Sequence, residues 1–220
     1  MNNIRSILLV ILVATFHDVA AFSIEEADQL LCPAELQVLA ADSVLLLNEK
    51  LSANRKMGLQ KRIGVALATL PYLCRRYAFT RTWNTKKTGQ SLSKNVHQLR
   101  QYFVKAKFSK LNSHARKLLI SVPFPTDRFN VDVVGSTDEL AAGALYEAYC
   151  RGCHQNNAVS AENPALPLDL MANTQSENEF LSRMLLGVRG TPNIGLSNPL
   201  TFAEIGAMRR FLRSVNPESE

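Results

Sequence analysis

The sequence predicts an all-α chain built in two parts, a small N-terminal helical bundle and a second helical domain after it. Three observations predict this. Apolar residues recur mostly three and four apart, the spacing that lines one face of a helix. Capping boxes, in which a hydroxyl and a carboxylate three residues on satisfy each other's orphan backbone donors, occur at Ser23–Glu26, Ser136–Glu139 and Thr201–Glu204. The charge is split: residues 23–135 hold 10 Lys and 8 Arg against 8 acids, a net of +10, while residues 136–220 hold 6 Arg and no Lys against 10 acids, a net of −4. With 220 residues, 46% hydrophobic and 20% charged, the chain is long and apolar enough for a globular core, which excludes a disordered or collagen-like protein.

The elements follow in order. Residues 1–21 have a short polar start with Arg5, an apolar run from Ile7 to Phe16, and small residues at Val19-Ala20-Ala21. This is the pattern of a secretory signal peptide, and it places the mature chain in a periplasmic or otherwise exported, oxidising space. A retained N-terminal membrane anchor is the alternative; the run falls short of the roughly 20 residues a spanning helix needs. No cysteine stands at the cleavage point, and no other segment reads as a span. Residues 22–120 form the basic helical domain. Its first helix is expected to follow Ser23, to accept Pro33 in a first turn, and to turn Leu36, Leu39, Ala40, Ser43, Val44 and Leu47 inward. A second helix is expected over Met57–Tyr77, kinked or broken at Pro71. A third runs from about Leu92 to Leu111, with Val96, Leu99, Tyr102, Phe103 and Ala106 inward, and a short fourth over His114–Ile120. Residues 121–135, with Pro123, Pro125 and Gly135, read as a linker. Residues 136–220 form the second domain.

The most informative stretch is Cys150-Arg151-Gly152-Cys153-His154. The spacing C-x-x-C-H is that of covalent haem c attachment: two thiols bond the haem vinyl groups and the next histidine becomes the proximal iron ligand. A redox-active C-x-x-C pair or half of a zinc site are the competing readings. No βαβ pattern surrounds the motif, and no second ligand pair follows it.

Residues 136–215 resemble class I c-type cytochromes, across essentially the whole second half. Gly143 and Tyr146 precede the motif as the family's small and aromatic residues do, and Ile205, Met208, Phe211 and Leu212 form the inward stripe of a C-terminal helix. The resemblance implies that Gly143 lets the two helices cross, with Phe211 as its aromatic partner. It implies that the carbonyl of Pro164 accepts a hydrogen bond from His154, with Pro167 a rival for that role. It implies a short helix from Glu179 to Leu186 ended by Gly187. One departure stands out. The family's distal methionine, just before a proline, is replaced here by Thr191. The remaining donors are Met184, Met208 and Met171, or His97, His114 and Met57 from the basic domain; the other option is an open iron.

Cys32 and Cys74 are expected to form a disulfide between the first helix and the end of the second, closing a loop of about forty residues and adding roughly 3–4 kcal/mol in the chain-entropy model. The implied function is one-electron transfer between redox partners, which are expected to be acidic, with no substrate chemistry by the protein itself. Haem-based small-ligand binding or peroxidase-like activity at an open distal site, or service as a docking subunit of a larger redox complex, are the alternatives. The basic surface suits an acidic protein, an anionic membrane surface, or the acidic half of the same chain; nothing in it marks a nucleic-acid binder.

Overall fold

The computed structural model describes residues 24–80, 86–130, 137–154, 165–191, 194–196 and 198–215. The chain is helical, as expected. Four helices, α1 (Ile24–Leu46), α2 (Ala53–Thr80), α3 (Lys86–Val104) and α4 (Phe108–Ser121), form the bundle. A 3-10 helix (Thr126–Phe129) leads to α5 (Thr137–Tyr149), the single turn α6 (Arg151–His154), α7 (Leu168–Thr174) and α8 (Glu177–Leu186). A two-stranded antiparallel ribbon, β1 (Val188–Thr191) and β2 (Ile194–Leu196), precedes the last helix, α9 (Phe202–Val215). The apolar segment at 1–21 and the capping residues Ser23 and Ser136 lie outside the described residues.

The bundle core holds Leu36, Leu39, Leu59, Ile63, Leu70, Leu99 and Leu111, all fully buried. Val44 and Leu47, expected inward, are 41% and 48% exposed, because the buried line of α1 continues through Ser43 to Leu46, which leaves Val44 on the outer face and Leu47 past the end of the helix. Cys32 and Cys74 form the expected disulfide between α1 and α2, with Cα atoms 4.8 Å apart. Pro71 neither breaks nor ends α2. A proline has no N–H for the carbonyl four residues back, here that of Leu67. Arg100 on α3 supplies the missing donor: its Nε donates to the Leu67 carbonyl at 2.9 Å.

The third helix stops earlier than expected. Lys107 N donates to Tyr102 O at 2.8 Å and Ala106 N to Phe103 O at 2.9 Å, the paired bonds of a Schellman stop. Ala106 takes the left-handed position, φ 49°, and is exposed rather than inward. The fourth helix consequently begins at Phe108.

A second core gathers Phe129, Phe180, Leu181, Ile205, Met208 and Leu212, and it includes Leu30 and Ala34 from α1. One helix thus serves both cores: the N-terminal part of α1 packs in the second half, and the remainder runs through the bundle. The expected linker is also more than a connector where it is described. Phe124 and Phe129 are buried, their rings stacked with centroids 5.5 Å apart, and Arg128 donates to the Gln29 side chain at 2.6 Å. The window Gln29–Leu46 is, against expectation, long and apolar enough to cross a membrane by composition, and 67% of it is buried. Burial on this scale is what a core helix requires.

Candidate functional site

The site grows from the end of α5. Cys150 N donates to Tyr146 O at 2.9 Å, and the Cys150 carbonyl accepts from Cys153 N at 3.2 Å and His154 N at 3.0 Å. The helical path therefore continues through α6. Residues three and four apart share a helix face, so Cys150, Cys153 and His154 project on the same side. Cys150 is half-buried against the second core, and Cys153 is exposed. A Cβ on Gly152 would meet nothing within 4 Å.

His154 is oriented from the segment that precedes α7. Its Nδ1 lies 2.6 Å from the carbonyl oxygen of Leu166. A carbonyl can only accept, so Nδ1 carries a proton, and in the neutral ring the lone pair that a metal ligand needs is then on Nε2. Pro164 lies outside the described residues; the carbonyl that meets the ring belongs to Leu166, the residue before Pro167. Beside the motif the apolar residues Tyr149 and Leu166 are 63% and 40% exposed, next to the exposed Glu147–Arg151 ion pair. Two unblocked thiols and an imidazole held by a backbone carbonyl are the groups that a covalently held haem requires.

The alternatives fit less well. Burial, and then the neighbouring Cys153, push the Cys150 thiol above its usual pKa. Reactive dithiol sites do the opposite and depress one thiol. Among the described residues no cluster of three or more His, Cys, Asp or Glu side chains is placed to hold a metal ion.

Behind the motif, α5 crosses α9 where expected. A Cβ at Gly143 would stand 3.3 Å from Cε2 and Cζ of Phe211, so the glycine is what allows that approach. The Tyr146 ring lies 6.3 Å from that of Phe211, centroid to centroid. The last helix is capped as read: Glu204 N donates to Thr201 Oγ1 at 3.3 Å, and Thr201 N to Glu204 Oε2 at 2.7 Å. The short helix α8 opens on Ser176, whose hydroxyl accepts from Glu179 N, and closes on Gly187, whose φ of 69° a side chain would resist.

No family model, curated protein or solved structure matches the chain. What the site does therefore rests on its own geometry.

The methionines and histidines considered as distal ligands are scattered. Met208 is fully buried and Met184 9% exposed, both inside the second core. Met171 stands on α7. His114 lies edge-on to Tyr102, centroids 5.8 Å apart, and burial holds its pKa below the usual value against a hydrogen bond that the ring donates to the Asn95 backbone. His97 is exposed beside Gln101. Thr191 ends β1, with its side chain outside the described ones.

Two features escaped sequence reasoning. A Cβ on Gly206 would fall 1.9 Å from the Phe129 carbonyl oxygen, so the 3-10 helix rests directly on the α9 backbone. Asp42, nearly fully buried on α1, is gripped by Arg62 of α2 and by Arg183 of α8, whose guanidinium donates to it at 2.8 Å and to Glu179 at 2.8 Å. A lone acid in an apolar run is the only sequence trace of this network.

Proposed function

We propose that the protein is an exported monohaem c-type cytochrome that carries single electrons between redox partners. Cys150 and Cys153 hold the haem through thioether bonds, and His154 Nε2 is the proximal ligand. When bound, the haem supplies a one-electron ferric/ferrous couple. The protein's own part is to anchor, orient and tune it. The observation that carries the reading is the C-x-x-C-H run on one helical face with its imidazole proton committed to Leu166.

The crossing of α5 and α9 at Gly143 and Phe211 supports a cytochrome c-like fold for residues 136–215. The Leu166 bond fixes the ring and raises its basicity as a ligand, favouring the ferric state. Export is supported by the leader-like residues 1–21 and by the Cys32–Cys74 disulfide, which persists only where thiols are oxidised. The bundle's +10 charge favours acidic redox partners by speeding encounter, an effect that added salt screens.

The test is a redox titration of the protein produced with a c-type haem attachment system. A reversible one-electron wave from covalently bound haem supports the reading, and an absence of bound haem contradicts it.

A further inference from the structure

We infer that one end of the basic bundle docks on an anionic lipid surface, with its exposed apolar residues entering the interface and its lysines lying over the headgroups. This goes beyond the haem reading and does not depend on it.

The topology gathers the residues. Cys32, early in α1, is bonded to Cys74, late in α2, while Asp42, late in α1, meets Arg62, early in α2, so the two helices run antiparallel. Arg100 reaches the Leu67 carbonyl and Phe103 lies beside Gly64, so α3 runs back along α2. Asn112, near the start of α4, donates to the Ala40 carbonyl at 2.7 Å and to Ser43 Oγ at 3.1 Å, near the end of α1. The α1–α2 turn and the α3–α4 turn therefore share one end of the bundle.

Apolar exposure and positive charge coincide at that end. Val44, Leu45 and Leu47 are 41%, 37% and 48% exposed, Met57 40% and Val104 80%. Lys50, Lys105, Lys107 and Lys110 are exposed with them, and among the described residues of the two turns Glu49 is the one acid. The scarcity of acids belongs to a longer pattern. Between Glu49 and Asp127 the sequence has 10 Lys and 7 Arg and neither Asp nor Glu. A surface kept soluble by charge mixes both signs. A single positive sign interleaved with apolar side chains is the composition of a surface that meets anionic lipid.

Both turns are held by their own backbones. Leu47 N donates to Val44 O and Asn48 N to Leu45 O, each at 3.0 Å, and Lys50 N donates to Asn48 Oδ1 at 3.0 Å. The other turn is the Schellman stop at Ala106. The side chains are thus presented from fixed positions, so docking has little chain to order. A bilayer requires no shape complementarity, and lysine stems lie along apolar surface while their ammonium groups reach phosphate. An acidic protein would satisfy the lysines as well, but it would need a pocket to match Val104 beside Lys105.

The experiment measures co-sedimentation of the full chain with vesicles of phosphatidylcholine alone and of phosphatidylcholine and phosphatidylglycerol in equal parts. The expected result is tighter binding to the anionic vesicles. Lys105→Gln/Lys107→Gln is expected to reduce that preference about 30-fold, at about fivefold per lysine. Arg75→Gln/Lys117→Gln removes the same charge from the opposite end of the bundle, beyond the screening length, and is expected to change it less than about twofold. Leu47→Ser/Val104→Ser, at exposed positions that leave the fold intact, is expected to weaken binding about tenfold or more. Equal binding to the two kinds of vesicle, equal losses in the two charge variants, or full affinity in Leu47→Ser/Val104→Ser overturns the inference. Indifference to vesicles overturns it too; capture of the same chain on immobilised polyglutamate, lost in Lys105→Gln/Lys107→Gln, then assigns this end to an acidic protein. None of these readouts uses the haem, so either reading can fail without the other.

Discussion

Asp42 and Arg183 are 141 residues apart in sequence and meet at 2.8 Å. With Arg62 on the other side of the carboxylate, this contact bolts the basic bundle to the second half of the chain. Burial pushes the Asp42 pKa up, but the two guanidiniums outweigh it and hold the carboxyl below its ordinary value.

A group with a lowered folded pKa stabilises above its unfolded pKa, about 3.9 for aspartate, and that stability is lost as pH falls through the folded value. The contact between the halves is therefore expected to be intact at neutral pH and to weaken below about pH 4. Asp42→Asn leaves Arg62 without its carboxylate and Arg183 with Glu179 alone, and is expected to cost about 3–5 kcal/mol. Urea unfolding at pH 7 and pH 3.5 checks this: the variant's deficit shrinks at the lower pH if the carboxylate is responsible.

The approach of Phe129 to Gly206 sets a second expectation. Gly206→Ala places a methyl group where the Phe129 carbonyl stands, and the 3-10 helix must shift; overpacking of this kind costs about 1–3 kcal/mol. Gly152→Ala, with open space around it, serves as the control and is expected to leave the melting temperature nearly unchanged apart from a small helix-propensity gain. Thermal melts of the two variants suffice.

Arg100 and Pro71 form a testable pair. Arg100→Ala orphans the buried Leu67 carbonyl, at a cost of about 1–3 kcal/mol. Pro71→Ala restores an N–H to the same carbonyl, so the arginine loss is expected to hurt much less in that background. A double-mutant cycle by denaturant unfolding reads the coupling.

Ala106 holds a left-handed conformation that costs a side-chain-bearing residue about 1–2 kcal/mol. Ala106→Gly removes that strain and is expected to raise stability by about 1 kcal/mol, less the extra entropy of an unfolded glycine. An unchanged or lower denaturation midpoint counts against the Schellman reading of the α3–α4 turn.

These residues also show what was legible in the sequence. The Thr201–Glu204 cap, the Gly187 stop and the C-x-x-C-H geometry are local, so a few neighbouring residues encode them. The disulfide was legible because only two cysteines remained outside the haem motif. The end of α3 was not, since Lys105-Ala106-Lys107 contains neither glycine nor proline. The continuity of α2 through Pro71 depends on a donor 33 residues away in sequence from the carbonyl it reaches. The shared role of α1 depends on which neighbours fold against each of its ends. For the site itself, the motif announced its three residues, but the carbonyl that orients His154 came from Leu166, a residue type with no signature for that role.

The central claim is covalent haem attachment, and the most direct measurement is the intact mass of the protein under denaturing conditions after production with a c-type haem attachment system. The account predicts a mass increase of one haem that survives denaturation and disappears in the Cys150→Ala/Cys153→Ala variant. A wild-type chain that emerges at its polypeptide mass, with both thiols free to alkylate, would contradict it.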